Sequence, residues 1–247
     1  MQPETLDRHI DDLCAAHGIN RVDGRGRAVV ITVRHRNGSR ERRLEIRIPP
    51  VRGQVSYFIA LHERALGVRQ RVTQLHFGGG TPTFLSDDEL SRLMAAIGLA
   101  FELAPDAECS IEVDPRTASR ERLQHLAALG FNRISFGVQD FDPEVQQAVH
   151  RVQPFEQVEA LMKSAREIGF ASINVDLIYG LPKQHPAGFE ETLRKTIAAA
   201  PGRIALYHYA HLPDRFKPQR RIEAAELPSP EEKLNIMLDA IRRLSDA

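Results

Sequence analysis

The sequence predicts an α/β fold built on parallel strands, and two observations carry that expectation. From residue 71 onward, short β-rich runs alternate with helical segments at least five times, and polar residues or glycine follow each strand candidate. Such alternation is the signature of parallel βαβ units joined by right-handed crossovers. The candidate architectures are a β/α barrel, whole or partial, and an open doubly wound sheet. In all of these, chemistry sits at the carboxyl ends of the strands.

The first 52 residues read differently. "AVVITVRHRNGSRERRLEIRI" suggests two strands around Asn37-Gly38, a strong turn pair. In the second strand Leu44, Ile46 and Ile48 alternate with Glu45 and Arg47, and Pro49-Pro50 ends it. An N-terminal segment, 1–52, is therefore expected to precede a body over 53–247. "RVTQLHF" (71–77) is a strand. The segment 86–103 is a helix, opened by Ser86 and Glu89 as a capping box, with Leu90, Leu93, Met94 and Ile97 at helical spacing. "ECSIEVDP" is a strand ended by Pro115, and "SRERLQHLAALG" a helix stopped by Gly130. "NRISFGVQ" is the next strand. "DPEVQQAVHR" and "PFEQVEALMKSAREIGF" are helical, the second ending at Gly169. "ASINVDLIYG" is a strand of almost continuous apolar character, as in a buried parallel sheet. Helix "PAGFEETLRKTIAAA", strand "GRIALYHYA" and helix "SPEEKLNIMLDAIRRL" complete the chain.

Composition bounds the function. The 247 residues are 42% hydrophobic and 27% charged, an ordinary globular balance, and the formal net charge is +0. Nothing global favours nucleic acid or an anionic membrane surface. No apolar run approaches the roughly 18 residues of a membrane span, and the polar N-terminus has no signal-peptide core, so the expected location is cytoplasmic. The two cysteines, Cys14 and Cys109, lie too far apart for a CxxC-type metal site and read as ordinary thiols. Residues 21–52 are rich in arginine, which fits a solvated hairpin or a contact with phosphate.

The chemistry-bearing residues gather after the strands. In "HFGGGTPTFLS" (76–86), Gly78, Gly79, Gly80 and Thr81 follow a strand. Such a turn either cradles an anion on backbone N–H groups, exposes carbonyls to an ammonium, or simply turns tightly. Glu112 and Asp176 are carboxylates in strand-end contexts and need partners. Arginines such as Arg133 and Arg151, or backbone amides, could supply them, and Asp176 also suits a ribose hydroxyl pair. Asp114, before Pro115, suits an N-cap. Gln139 ends a strand and suits a carboxylate or an amine, or a local turn bond. Arg151 ends a helix, where the dipole favours a cation. His208 and His211 have a spacing compatible with a metal but leave a strand. No nucleophile elbow, HExxH, Walker A or GxGxxG motif is present.

Taken in order, "QLHFGGGTPTFLS", "IEVDPR", "GFNRISFGVQDF", "REIGF", "INVDLIYGLPKQ", "YAHLPDRFKPQRRI" and "LPSPEEKL" resemble the oxygen-independent coproporphyrinogen III oxidases, radical S-adenosylmethionine (SAM) enzymes of haem synthesis. The resemblance covers 71–247. It implies an open, three-quarter β/α barrel and a [4Fe–4S] cluster, held by a CxxxCxxC loop, that reduces SAM. The resulting radical acts on the propionates of coproporphyrinogen III, a small tetrapyrrole. Carried over residue by residue, it implies that Gly79, Gly80 and Thr81 line SAM and that Glu112, Gln139 and Arg151 hold it. It further implies that Asp176 takes the ribose and that the backbone of Ala210 meets adenine. The chain departs from the family between 49 and 70. "LEIRIPP" is followed by "VRGQVSYFIALHERALGVRQ", with no cysteine, so the cluster ligands are expected to be missing. Segment 1–52 has no family counterpart, and the family's C-terminal helical domain is not reached. The expectation is a chain inactive by itself in the family reaction, with a non-catalytic SAM- or haem-binding protein as the alternative.

Overall fold

The computed structural model describes the backbone of residues 29–37 and 40–48, and residues 69–79 and 81–247 in full. Residues 49–68, with Cys14, Gly38 and Gly80, lie outside the described residues. The chain divides into two compact units: Met1–Ile111 with Leu129–Phe131, and Glu112–Ala128 with Asn132–Ala247.

In the first unit, β1 (Val29–Asn37) and β2 (Arg40–Ile48) pair antiparallel, from Val29 opposite Ile48 to Asn37 opposite Arg40. The two expected strands pair as a hairpin. β1 also pairs antiparallel with β3 (Gln70–Gly78), so the hairpin extends a sheet and is more than a solvated appendage. β3 runs parallel to β4 (Phe101–Val113), with Leu75 beside Cys109 and Phe77 beside Ile111. Val72, Leu75 and Phe77 are fully buried, and the Phe77 and Phe131 rings meet edge to face, centroids 5.0 Å apart. Between the strands lies α1 (Asp87–Ala100). Its Ser86–Glu89 capping box is present, and it buries Leu90, Leu93, Met94 and Ile97. It ends at Ala100, three residues before the sequence expectation, because Phe101 takes an extended backbone and starts β4.

The second unit holds β5 (Arg133–Gln139), β6 (Ser172–Tyr179) and β7 (Arg203–His208), all parallel, with Gly137, Asp176 and Ala205 side by side. Its helices are α2 (Arg120–Ala128), α3 (Pro143–Ala148), α4 (Phe155–Ile168), α5 (Pro186–Ala198) and α6 (Pro230–Ser245). α2 packs on α4 and α5 on α6. Sequence signals fix their ends. Gly169 stops α4 in the left-handed region, φ 104°, where a side chain would be strained. Ser229 and Glu232 form a second capping box at α6.

β6 corrects one expectation. Its burial alternates strictly from Ile173 to Leu177, with Ile173, Val175 and Leu177 inside and Asn174 and Asp176 half-exposed. β5 does the same, with Ile134, Phe136 and Val138 buried and Ser135, Gly137 and Gln139 half-exposed. One face of this sheet is apolar core and the other is a polar surface. The apolar run in "INVDLIY" hid that period of two.

Candidate functional site

Five of the eight expected residues lie in the second unit, and its polar sheet face and strand ends position them. At the end of β5 the ladder slips between Gly137 and Gln139, and Gln139 adopts φ 68°. A glutamine rarely takes this conformation, and such outliers concentrate at sites of function. The slip folds Gln139 back over Gly137. A Cβ added to Gly137 would lie 3.0 Å from Gln139 Nε2 and 3.5 Å from Arg151 Nη2. A methyl group there would crowd the end of Gln139 and touch that of Arg151. Arg151 Nη2 donates to the Gly137 carbonyl at 3.2 Å. The residue before it, His150, is also left-handed, φ 54°.

Arg151 pairs at 3.6 Å with Asp114, the next carboxylate after Glu112 in sequence, and Asp114 also binds Arg116 through Nη2 at 2.6 Å. Asp114 caps the turn Pro115–Thr117, as its position before Pro115 suggested. Burial alone would raise its pKa. The Arg116 hydrogen bonds, with the charges of Arg151 and Arg116, outweigh burial and hold the carboxyl below the usual range. Burial lowers the Arg151 guanidinium pKa, against the pull of Asp114. The buried Nε of Arg151 has no hydrogen-bond partner. A pocket of about 230 Å³ opens here, lined in part by Gln139, Arg151, Ile178, Leu181, Tyr209 and Arg221. The Tyr209 hydroxyl is likewise buried without a partner.

On the sheet face, Asp176 Oδ2 accepts from Ser135 Oγ at 2.7 Å, and Oδ1 accepts from Asn174 Nδ2 at 2.7 Å. Asn174 Nδ2 also donates to Ser135 Oγ at 2.7 Å. Glu112 and Asp176 both act on the Tyr207 phenol. Its pKa is raised first by burial and then by these two negative charges. Ala210 follows β7 on an exposed stretch, and its carbonyl accepts from Gln219 Nε2 at 3.0 Å.

Of the glycine turn, the first unit holds Gly79, at φ 84°, and Thr81, the N-cap of the turn Pro82–Phe84, whose carbonyl accepts from Phe84 N at 2.8 Å. Cys109 is buried on β4 and forms no disulfide, and burial raises its pKa. Among the described residues, no group of three His, Cys, Asp or Glu is placed to hold a metal ion, and His208 and His211 join none.

Two supporting networks escaped the sequence reading. Buried Asp140 accepts from Thr192 Oγ1 at 2.5 Å, Asp142 N at 2.8 Å and Gln184 Nε2 at 2.5 Å. Gln184 in turn accepts from Gly180 N and Leu181 N. This ties the ends of β5 and β6 to α5. The Gln146 side chain donates to the Gln153 carbonyl and accepts from Gln153 N, and Gln153 Nε2 donates to the Gly137 carbonyl. Ser135 and Asn174 were legible as polar residues at period two. The glutamines carry no local pattern.

Residues 54–196 match the Radical SAM superfamily. The chain is 50% identical over 187 residues to a protein of Escherichia coli named oxygen-independent coproporphyrinogen III oxidase, covering 76% of this chain and 41% of that one. It is 48% identical over 191 residues to a Pseudomonas aeruginosa protein of the same name, with 76% and 42% covered. A solved structure described as coproporphyrinogen III oxidase (HemN) from Escherichia coli, a radical SAM enzyme, superposes with a TM-score of 0.75 at 46% identity. That match spans 79% of this chain and 47% of the other. The α/β fold with parallel strands in a partial barrel is therefore as expected. The chain spans about two-fifths of the length of these curated relatives.

Proposed function

Because this chain belongs to the radical SAM superfamily, we propose that it binds SAM at the strand ends of its second unit, as a relative of the coproporphyrinogen oxidases. The observation that carries this is the convergence of Gln139 and Arg151 over Gly137, both lining one pocket. The buried, unpartnered Arg151 Nε and Tyr209 hydroxyl suit a polar ligand, so the residues fit the cofactor. Arg151 and Gln139 take its methionyl end, with Glu112. Asp176 takes the ribose hydroxyls, and the backbone at Ala210 meets the base. The family resemblance assigns Gly79, Gly80 and Thr81 to SAM as well. When bound to a reduced cluster, SAM supplies a radical. This chain's residues bind and orient it.

The cluster itself does not fit. A cubane needs thiolates, and the sequence offers Cys14 and Cys109 alone, with Cys109 buried and its thiol pKa raised. No step is assigned through it, and the chain by itself does not cleave SAM. Its organisation is a hairpin-bearing extension, 1–52, on a SAM-binding body, 53–247, in the cytoplasm. Its further ligand is a small tetrapyrrole and neither nucleic acid nor membrane. Calorimetry with SAM tests the binding. Anaerobic reconstitution with iron and sulfide, followed by assay of released 5′-deoxyadenosine, tests the chemistry. Binding without release is expected, and robust release overturns the reading.

The pocket supports a second reading, a non-catalytic tetrapyrrole binder. Ile178, Leu181 and Ile222 offer apolar surface to a flat ring, with Arg151 and Arg221 beside them for carboxylates. Absorbance titration with haem separates the two: a shifted Soret band without SAM affinity favours the second.

A further inference from the structure

We infer that Ser135 and Asn174 are positioning residues that hold the Asp176 carboxylate in one orientation, and that this orientation selects a vicinal cis-diol, as in ribose, over a 2′-deoxyribose. The inference deepens the cofactor reading above and rests on it.

Strand register brings the three together. Ser135 lies opposite Asn174 and Gly137 opposite Asp176, all on the half-exposed face. Their three hydrogen bonds, each 2.7 Å, close a ring. The directions follow from chemistry. An ionised carboxylate only accepts, so the single Ser135 hydroxyl proton goes to Asp176 Oδ2. The serine oxygen must then accept, and the Asn174 amide nitrogen has two hydrogens, one for the serine and one for Oδ1. Turning the asparagine amide over would set its oxygen against the carboxylate. Each member of the ring thus fixes the others.

A carboxylate otherwise turns freely about its terminal torsion. Held by a different donor on each oxygen, it meets a ligand already oriented, and no rotor is frozen on binding. A cis-diol donates once to each of two oxygens, so a turned carboxylate forfeits a bond that a deoxyribose never makes. The neighbours leave room for this. Asp176 is flanked across the strands by Gly137 and Ala205, the two smallest side groups available.

Titration calorimetry of the whole chain with SAM and with its 2′-deoxyadenosyl analogue tests the idea. The unmodified chain is expected to prefer SAM by about tenfold or more, since an unmade polar contact at a built site costs at least that. In Ser135→Ala/Asn174→Ala the preference falls towards unity while circular dichroism stays native, and Ser135→Thr, which keeps the hydroxyl, retains it. If the double variant does not fold, the same ratio compared between Ser135→Ala and Ser135→Thr decides. A variant that loses affinity for both ligands equally, with the ratio intact, overturns the inference alone. Failure of the unmodified chain to bind SAM overturns the cofactor reading and this inference with it.

Discussion

A single methyl group at Gly137 separates ligand binding from stability. The backbone there is ordinary extended strand, so alanine is allowed, and what it meets are the mobile ends of Gln139 and Arg151. Those ends move at little cost, so Gly137→Ala should change the urea midpoint of unfolding hardly at all. It should weaken SAM by about tenfold, or about 1.4 kcal/mol, in calorimetry. Asp140 makes the opposite separation. Asn in its place keeps acceptance from Thr192 and Asp142 but turns an amide donor towards Gln184 Nε2. Asp140→Asn should cost about 1–3 kcal/mol of stability in urea. Its pH dependence has a definite sign. Burial raises the Asp140 pKa, with the hydrogen bonds only partly offsetting it. The neutral form therefore favours the fold. That contribution is full below the unfolded carboxylate value of about 3.9 and is lost as pH rises through the raised folded value. Asp114, held low by Arg116, behaves inversely and loses its contribution as pH falls through its depressed value. Unfolding midpoints from pH 3 to 8 should show the stability gap between the unmodified chain and Asp140→Asn narrowing as pH rises.

At the scale of elements, the hairpin β1–β2 covers one edge of β3. An uncovered strand edge offers a row of unpaired backbone groups to another chain. Removal of residues 1–48 is therefore expected to produce concentration-dependent self-association, read as a rising weight-average mass in sedimentation velocity. A truncated chain that stays monomeric would show that the pairing does not protect β3. The helix ends in the second unit are set more locally. Gly169→Ala forces a side chain into φ 104° and should lower stability by about 1 kcal/mol, without touching the site.

At the scale of the whole molecule, the proposed separation of cofactor binding from chemistry is measurable. After anaerobic reconstitution, the protein is expected to hold substoichiometric iron and to release no 5′-deoxyadenosine, while still binding SAM. A brown protein with stoichiometric iron would contradict this. Among the described residues no helix is long and apolar enough to cross a membrane.

The sequence by itself determined the alternation of strands and helices, because periodicity, capping boxes at Ser86 and Ser229 and stops such as Gly169 act within a few residues. It also limited the thiol supply, which is a matter of counting. Tertiary structure alone decided what the polar residues do. Asp176 accepts hydrogen bonds from Ser135 and Asn174, and Arg151 leans on Asp114. The Gln184 and Gln153 networks depend on strand register and on a ladder slip at Gly137. The Arg151–Gly137, Ser135–Asp176 and Gln184–Asp140 bonds join residues 14, 41 and 44 positions apart. No local pattern encodes them, because burial sets their energies and burial exists only once the chain has folded.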